Sequence, residues 1–199
     1  AQMMIELQNM GCHNINFVTP THVVPQILEA LLIAVREGLK IPLVYNTGGY
    51  DLVETLRLLE GVFDIYMPDF KFSNSEVAAR LCKARDYPQV AMKAIKEMYR
   101  QVGDLVVDER GIAERGLIVR HLIMPNGLAG TRKVMQFLAQ EISSNTYVNI
   151  MDQYRPCGLA HTYSEINRRI SREEFENALQ IAREEGIHRL DSEKSYHLR

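Results

Sequence analysis

The sequence predicts an α/β protein folded as a partial (β/α) barrel, with parallel strands inside and helices outside. Three observations predict it. Short apolar segments rich in β-branched residues alternate with amphipathic helical segments along the chain, the pattern of a parallel sheet with right-handed crossovers. Five predicted strands finish in polar or special residues: Thr19-Pro-Thr-His22, Asn46-Thr47, Asp69 with Lys71, Asn126, and Asp152-Gln153. In a barrel all such ends share one mouth, whereas in a doubly wound sheet only the switch point is used. Neither GxGxxG nor GxxxxGK[ST] is present to support a nucleotide fold.

Taken in order, residues 1–10 have helical spacing at Met3, Leu7 and Met10, and Gly11 stops that helix. Residues 13–19 read as the first strand. The next helix carries Pro25 in its first turn and presents Ile27, Leu28, Leu31, Leu32 and Val35 inward. The second strand, 41–45, closes in Asn46-Thr-Gly-Gly-Tyr50. Asp51 and Glu54 have capping-box spacing for a helix with Leu52, Leu56 and Leu59. The third strand, from Phe63, is stopped by Pro68, which cannot donate to a sheet ladder. Ser73 and Glu76 repeat the capping-box spacing ahead of Val77 and Leu81. Asp86-Tyr-Pro88 breaks that helix, and another runs over 89–102 with Ala91, Ala94, Ile95, Met98 and Val102 on one side. Residues 103–116 read as a surface excursion, with a short strand at Leu105-Val-Val107 as the alternative. The fourth strand is 116–124, followed by a helix over 131–142 with Val134, Leu138 and Ile142 inward. The fifth strand is 146–151. An irregular stretch with Cys157 and His161 leads to a last helix, capped by Ser171 and Glu174, that presents Phe175, Leu179 and Ala182 inward and ends at Gly186.

Composition narrows the possibilities. The 199 residues suffice for one domain with a real core, and we place a single domain over 1–199. A formal charge of −2 argues against a general affinity for nucleic acid or anionic membrane. No apolar run approaches the roughly 20 residues that span a bilayer, and no secretory signal pattern is present. Three scattered cysteines, Cys12, Cys82 and Cys157, form no CxxC motif and fit a reducing cytoplasm better than a disulfide framework. The chain starts without an initiator methionine or helix cap, which is expected of a sequence that begins partway into a larger protein.

The candidate chemistry lies at the strand ends. Asp69 and Lys71 are two residues apart, so an extended backbone points both to the same side. They suit a zwitterionic or polar ligand at the mouth; alternatively they form a local ion pair, or Lys71 forms an imine in a lyase. Asn46-Thr-Gly-Gly49 offers either close backbone approach to a ligand or an ordinary turn. Arg120 and His121 are adjacent on a strand and must face opposite sides, and an inward charge needs a partner. His121 reads more readily as a satisfied core histidine than as a catalytic one. Asp152, Gln153 and Tyr154 suit ribose or base edges, or a plain turn.

The ordered set Asn14-Ile-Asn-Phe-Val-Thr-Pro-Thr-His22, Val44-Tyr-Asn-Thr-Gly-Gly-Tyr50, Tyr66-Met-Pro-Asp-Phe-Lys71, Arg120-His-Leu-Ile-Met-Pro-Asn126 and Met151-Asp-Gln-Tyr154 resembles the radical S-adenosylmethionine (SAM) proteins, specifically uncharacterised relatives of the pyruvate formate-lyase activating enzyme. The resemblance implies a partial (β/α)6 barrel. It implies a [4Fe–4S] cluster and SAM, reductive cleavage of SAM to a 5′-deoxyadenosyl radical, and hydrogen abstraction from a substrate or a protein glycine. It implies an electron donor such as flavodoxin or ferredoxin. By that resemblance Asp69 and Lys71 match the Asp-x-Lys that contacts the amino-acid portion of SAM, Asn46 lies in the matching strand end, and Arg120 opens the matching strand motif. The chain departs from the pattern in two places. The CxxxCxxC cluster motif is absent, so a missing first strand and cluster loop, and an inert chain, are expected. Thr19-Pro-Thr21 stands where the family has Gly-Gly-Glu. A barrel that has lost its cluster and serves only as an interaction module is the remaining alternative.

Overall fold

The computed structural model describes residues 1–191. Helix α1 (Gln2–Asn9) leads into strand β1 (Ile15–Val18), and α2 (Val24–Arg36) into β2 (Leu43–Thr47). Next come α3 (Val53–Leu58), β3 (Ile65–Pro68), α4 (Ser75–Cys82), α5 (Tyr87–Val102), β4 (Val106–Val107) and β5 (Ala113–Leu122). The chain continues through α6 (Thr131–Phe137), β6 (Tyr147–Met151), α7 (Arg172–Glu184) and β7 (Arg189–Leu190).

The sheet order is β1-β2-β3-β5-β6-β7, and every neighbour along that path is parallel. Strand order therefore follows chain order, with no switch point. Right-handed crossovers wound always in one direction put the helices on a single face. The main core lies there: Leu43, Tyr45, Tyr66, Leu117, Val119, Val148 and Ile150 from the strands meet Leu56, Ile95, Met98, Val134, Leu138 and Phe175 from the helices. Edge-on ring pairs tie this layer together, among them Tyr45 with Phe63 at 5.0 Å. β1 and β7 form the two ends of the path, so the barrel is partial, as the strand pattern predicts.

The opposite face carries the alternate residues Val18, Asn46, Met67, Asp69, Arg120 and Asn149. Val44 and Ile65 on this face are 5% and 1% exposed, yet belong to no part of the main core cluster. Without a covering helix layer, the curl of the sheet and its strand-end loops must shield them.

In α1 the buried residue is Met4, while Met3, Leu7 and, just past the helix, Met10 are exposed. The inward stripe is Met4 and Gln8, because the Gln8 side chain donates to Gly38 O and accepts from Lys40 N–H, docking the helix by polar bonds that hydrophobic spacing does not reveal. Other expectations are corrected. In α2 the buried residues are Val24, Leu31 and Ala34, while Leu32 and Val35 are exposed. Two of the three capping boxes are absent. The Ser73 hydroxyl donates to Gly130 O, and Asn74 caps α4 instead, accepting from Glu76 and Val77 N–H. Asp51 is buried in a hydrogen-bond network, and Leu52 occupies the cap of α3. The Ser171–Glu174 box is present as predicted.

The excursion at 103–116 is partly a hairpin. β4 pairs antiparallel with β5, which begins at Ala113 instead of Gly116. Asp108 closes the turn by accepting from the Arg110 and Ile112 amides, an Asx-type device that a mixed-charge stretch conceals. The helix after β5 ends in a π-helical turn over Leu138–Ile142. β7 was not expected; two residues are too few to show a period.

Gly116 is required where β5 leaves the hairpin. Its φ is +118°, and a Cβ there would lie 2.4 Å from Asp104 O and 2.5 Å from Leu105 Cα. Gly116→Ala should cost at least about 2 kcal/mol in urea unfolding. Gly111→Ala, with nothing within 4 Å of the new methyl, should cost only about 1 kcal/mol from its positive φ.

Candidate functional site

The site is built on the three residues that follow β3. Pro68 ends the strand proper, but Asp69 and Phe70 continue alongside β5, which grips them. Asp69 bridges to Arg120, and Phe70 N–H donates to Arg120 O at 2.8 Å. Alternation then turns Phe70 into the core, 1% exposed and edge-on to Phe137 at 5.7 Å. Asp69 and Lys71 go to the open face.

There the Asp69 carboxylate sits between two cations. Lys71 Nζ donates to Oδ2, and the Arg120 guanidinium lies 2.6 Å from Oδ1 as an ion pair. The second contact is not aligned as a hydrogen bond: Asp69 Oδ1 and Arg120 Nε are buried and have no hydrogen-bond partner. The side chains of Lys71 and Arg120 are 41% and 26% exposed, against 12% for Asp69. One carboxylate between two cations leaves positive charge in excess, with donor capacity toward the open face. Such a cluster can bind a carboxylate through Lys71 and Arg120 and an ammonium group through Asp69.

The neighbouring strand end is pressed against this one. Asn46, 6% exposed, shares the open face, and its carbonyl accepts from Thr19 N–H at 2.8 Å. On the other side Asp51 accepts from Thr21 (2.8 Å), Tyr45 (3.1 Å) and Thr47 (2.6 Å), which anchors the turn. Gly49 has φ +78°, and a Cβ would fall 2.2 Å from Asp69 O. This glycine is thus needed for packing of one strand end on the next. Thr19 has φ 56° and ψ 52° although it is β-branched and precedes proline, two features that oppose that conformation. Strain of this kind marks the end of β1 as a held position.

His121 faces the helix layer, fully buried. Its Nδ1 donates to Phe70 O at 2.6 Å, which leaves Nε2 to accept from Thr131 at 3.1 Å. It is the satisfied core histidine that the sequence favours. Adjacent residues Arg120 and His121 therefore hold adjacent residues Asp69 and Phe70 from opposite faces. Asp152 and Gln153 are exposed and line a polar cavity of about 440 Å³ with Tyr154, Arg155, Arg169 and Arg172. Sequence reasoning missed Tyr87, whose hydroxyl touches Gly48, Asp69 and Lys71, and Asp51, which was read as a helix cap. For Tyr87 the one available signal was a bulky aromatic beside the helix-starting Pro88.

No group of three or more His, Cys, Asp or Glu suited to a metal occurs among the described residues. The three cysteines are free.

The fold defines a class, a singly wound (β/α) protein with a mostly parallel sheet, and a charged cluster lies at the carboxyl ends of its strands. One comparison supports the fold. A crystal structure of a domain of pyruvate-formate lyase-activating enzyme from Bacteroides vulgatus superposes with a TM-score of 0.58 over 87% of this chain and 93% of that one, at 14% identity. An uncharacterised protein of Methanocaldococcus jannaschii is 40% identical over 172 residues, which is 85% of this chain. The chain spans about half, 46%, of that relative's length. No protein-family model matches the chain.

Burial lowers the His121 pKa from about 6.5 to about 4. The unfolded chain then binds the extra proton first, so this contribution to stability is complete above about pH 6.5 and is lost as pH falls toward 4. The advantage of wild type over His121→Leu in urea unfolding should shrink across that window by on the order of 3 kcal/mol.

Proposed function

We propose that this chain is the SAM-holding barrel of a radical SAM protein related to the pyruvate formate-lyase activating enzymes. Asp69, Lys71 and Arg120 take the amino-acid end of SAM. The observation that carries this is the Asp69 carboxylate held between Lys71 and Arg120 on the open face, with both cationic side chains partly exposed there. The methionyl end of SAM offers one ammonium and one carboxylate, the complement of that set. Asn46 shares the face and is a further contact. Asp152 and Gln153, at the end of β6, are the candidates for the nucleoside end. The fold shared with an activating-enzyme domain supports the reading. A lyase using Lys71 is not favoured, because its amine is engaged by Asp69 instead of lying in an apolar pocket.

The described residues do not suit a [4Fe–4S] cluster. Cys12 lies before β1, Cys82 ends α4 and Cys157 follows β6, and no ligand cluster forms. Cluster ligation is therefore not assigned to them. A flavodoxin- or ferredoxin-type electron donor, and a protein substrate, are proposals for the whole protein. No helix among the described residues is long and apolar enough to cross a membrane.

The test is calorimetric titration of SAM into the protein expressed from its complete reading frame. Asp69→Asn and Arg120→Gln should each weaken binding by about tenfold or more, ~1.4 kcal/mol. A wild-type protein that does not bind SAM, or variants that bind as well as it does, would overturn the proposal. After anaerobic reconstitution with iron and sulfide, SAM and a reductant should yield 5′-deoxyadenosine.

A further inference from the structure

We propose that Tyr87 is the positioning residue of the mouth: its hydroxyl fixes the backbone from which Asp69 and Lys71 reach the ligand. That the ligand is SAM rests on the function proposed above.

β5 stops guiding the β3 extension at Phe70, whose N–H is bonded to Arg120 O. The next amide, Lys71 N–H, instead donates to the Tyr87 hydroxyl at 2.9 Å. That hydroxyl has one proton to give, and it faces two carbonyls, Gly48 O at 2.9 Å and Asp69 O at 3.0 Å. One phenol thus serves backbone groups from two strand ends and adds a rung where the ladder has run out. Asp69 and Lys71 are each bonded to it through their main chains.

The phenol is itself fixed. Tyr87 opens α5, whose Ala91, Ala94, Ile95 and Met98 are fully buried against the sheet. The ring is 4% exposed, stacked on Tyr50 at 6.0 Å and edge-on to Phe72 at 6.4 Å. Gly49 completes the fit, since a side chain there would collide with Asp69 O. Burial raises the phenol pKa well above its ordinary value, so the proton stays in place. Helix, turn and charged residues are thereby locked in one arrangement, which spares the site the cost of ordering them on binding.

The experiment uses the protein from its complete reading frame and the Tyr87→Phe variant, which keeps the ring and removes the hydroxyl. Exchange of the Lys71 amide should quicken at least tenfold while amides of α7 keep their rates. The SAM dissociation constant should rise about tenfold. Asp69→Asn should then cost less affinity in the Tyr87→Phe background than in wild type, because the two act through the same contact. Unchanged Lys71 exchange would overturn the proposal, as would faster exchange with SAM affinity within twofold of wild type. If the wild type binds no SAM, the function proposed above fails, and the exchange comparison alone decides the role of Tyr87. Should Tyr87→Phe not fold, Gly49→Ala displaces the same turn with the phenol intact. It should weaken SAM binding to a similar degree, and wild-type affinity would overturn the proposal.

Discussion

The structure depends on one short grip: β5 holding the extension of β3 from both faces. Arg120 pairs with Asp69 on the open side, and His121 holds the Phe70 carbonyl on the helix side. Between them the Arg120 carbonyl accepts the Phe70 N–H. A mostly buried carboxylate is costly to desolvate and is tolerated here because two cations compensate it. Each neutral hydrogen bond of the grip contributes only about 1 kcal/mol. Its effect is geometric, since it continues an extended backbone beyond a proline that would otherwise release it.

The winding of the sheet explains why the charges gather where they do. Crossovers that never reverse leave one face of the sheet without helices, and the polar residues of successive strands fall on that face. Asn46, Asp69, Arg120 and Asn149 come from four strands and are brought near one another by register alone. The helix face has the opposite task. The buried imidazole of His121 is neutral and doubly bonded, and the Asp51 carboxylate is satisfied by three hydroxyls.

The sequence made the winding and the mouth legible because both rest on period-2 patterns and on where those patterns stop. The Asp69–Lys71 spacing and the opposed faces of Arg120 and His121 follow from strand geometry alone, and both are present. Elements held by polar side chains were harder to read. Gln8 docks α1 by hydrogen bonds, which hydrophobic spacing does not show. Asp51 and Ser73 have the spacing of helix caps, but a nearby hydroxyl cluster and a distant carbonyl compete for them. Local patterns hold until a tertiary partner offers a better bond. Tyr87 lies sixteen residues beyond Lys71, and only the packed helix brings it back.

The adjacency of Arg120 and His121 has a consequence for how β5 finds its place. A one-residue slip of a strand exchanges its two faces. Here it would drive a guanidinium into the aromatic and aliphatic layer beneath the helices. It would also carry the imidazole out to the open side, away from Phe70 and Thr131. Neighbouring apolar residues such as Val119 and Leu122 would tolerate such an exchange far better. The two residues that grip the β3 extension thus also act as a ratchet pawl for the sheet, making the misaligned pairing of β3 and β5 the costly one.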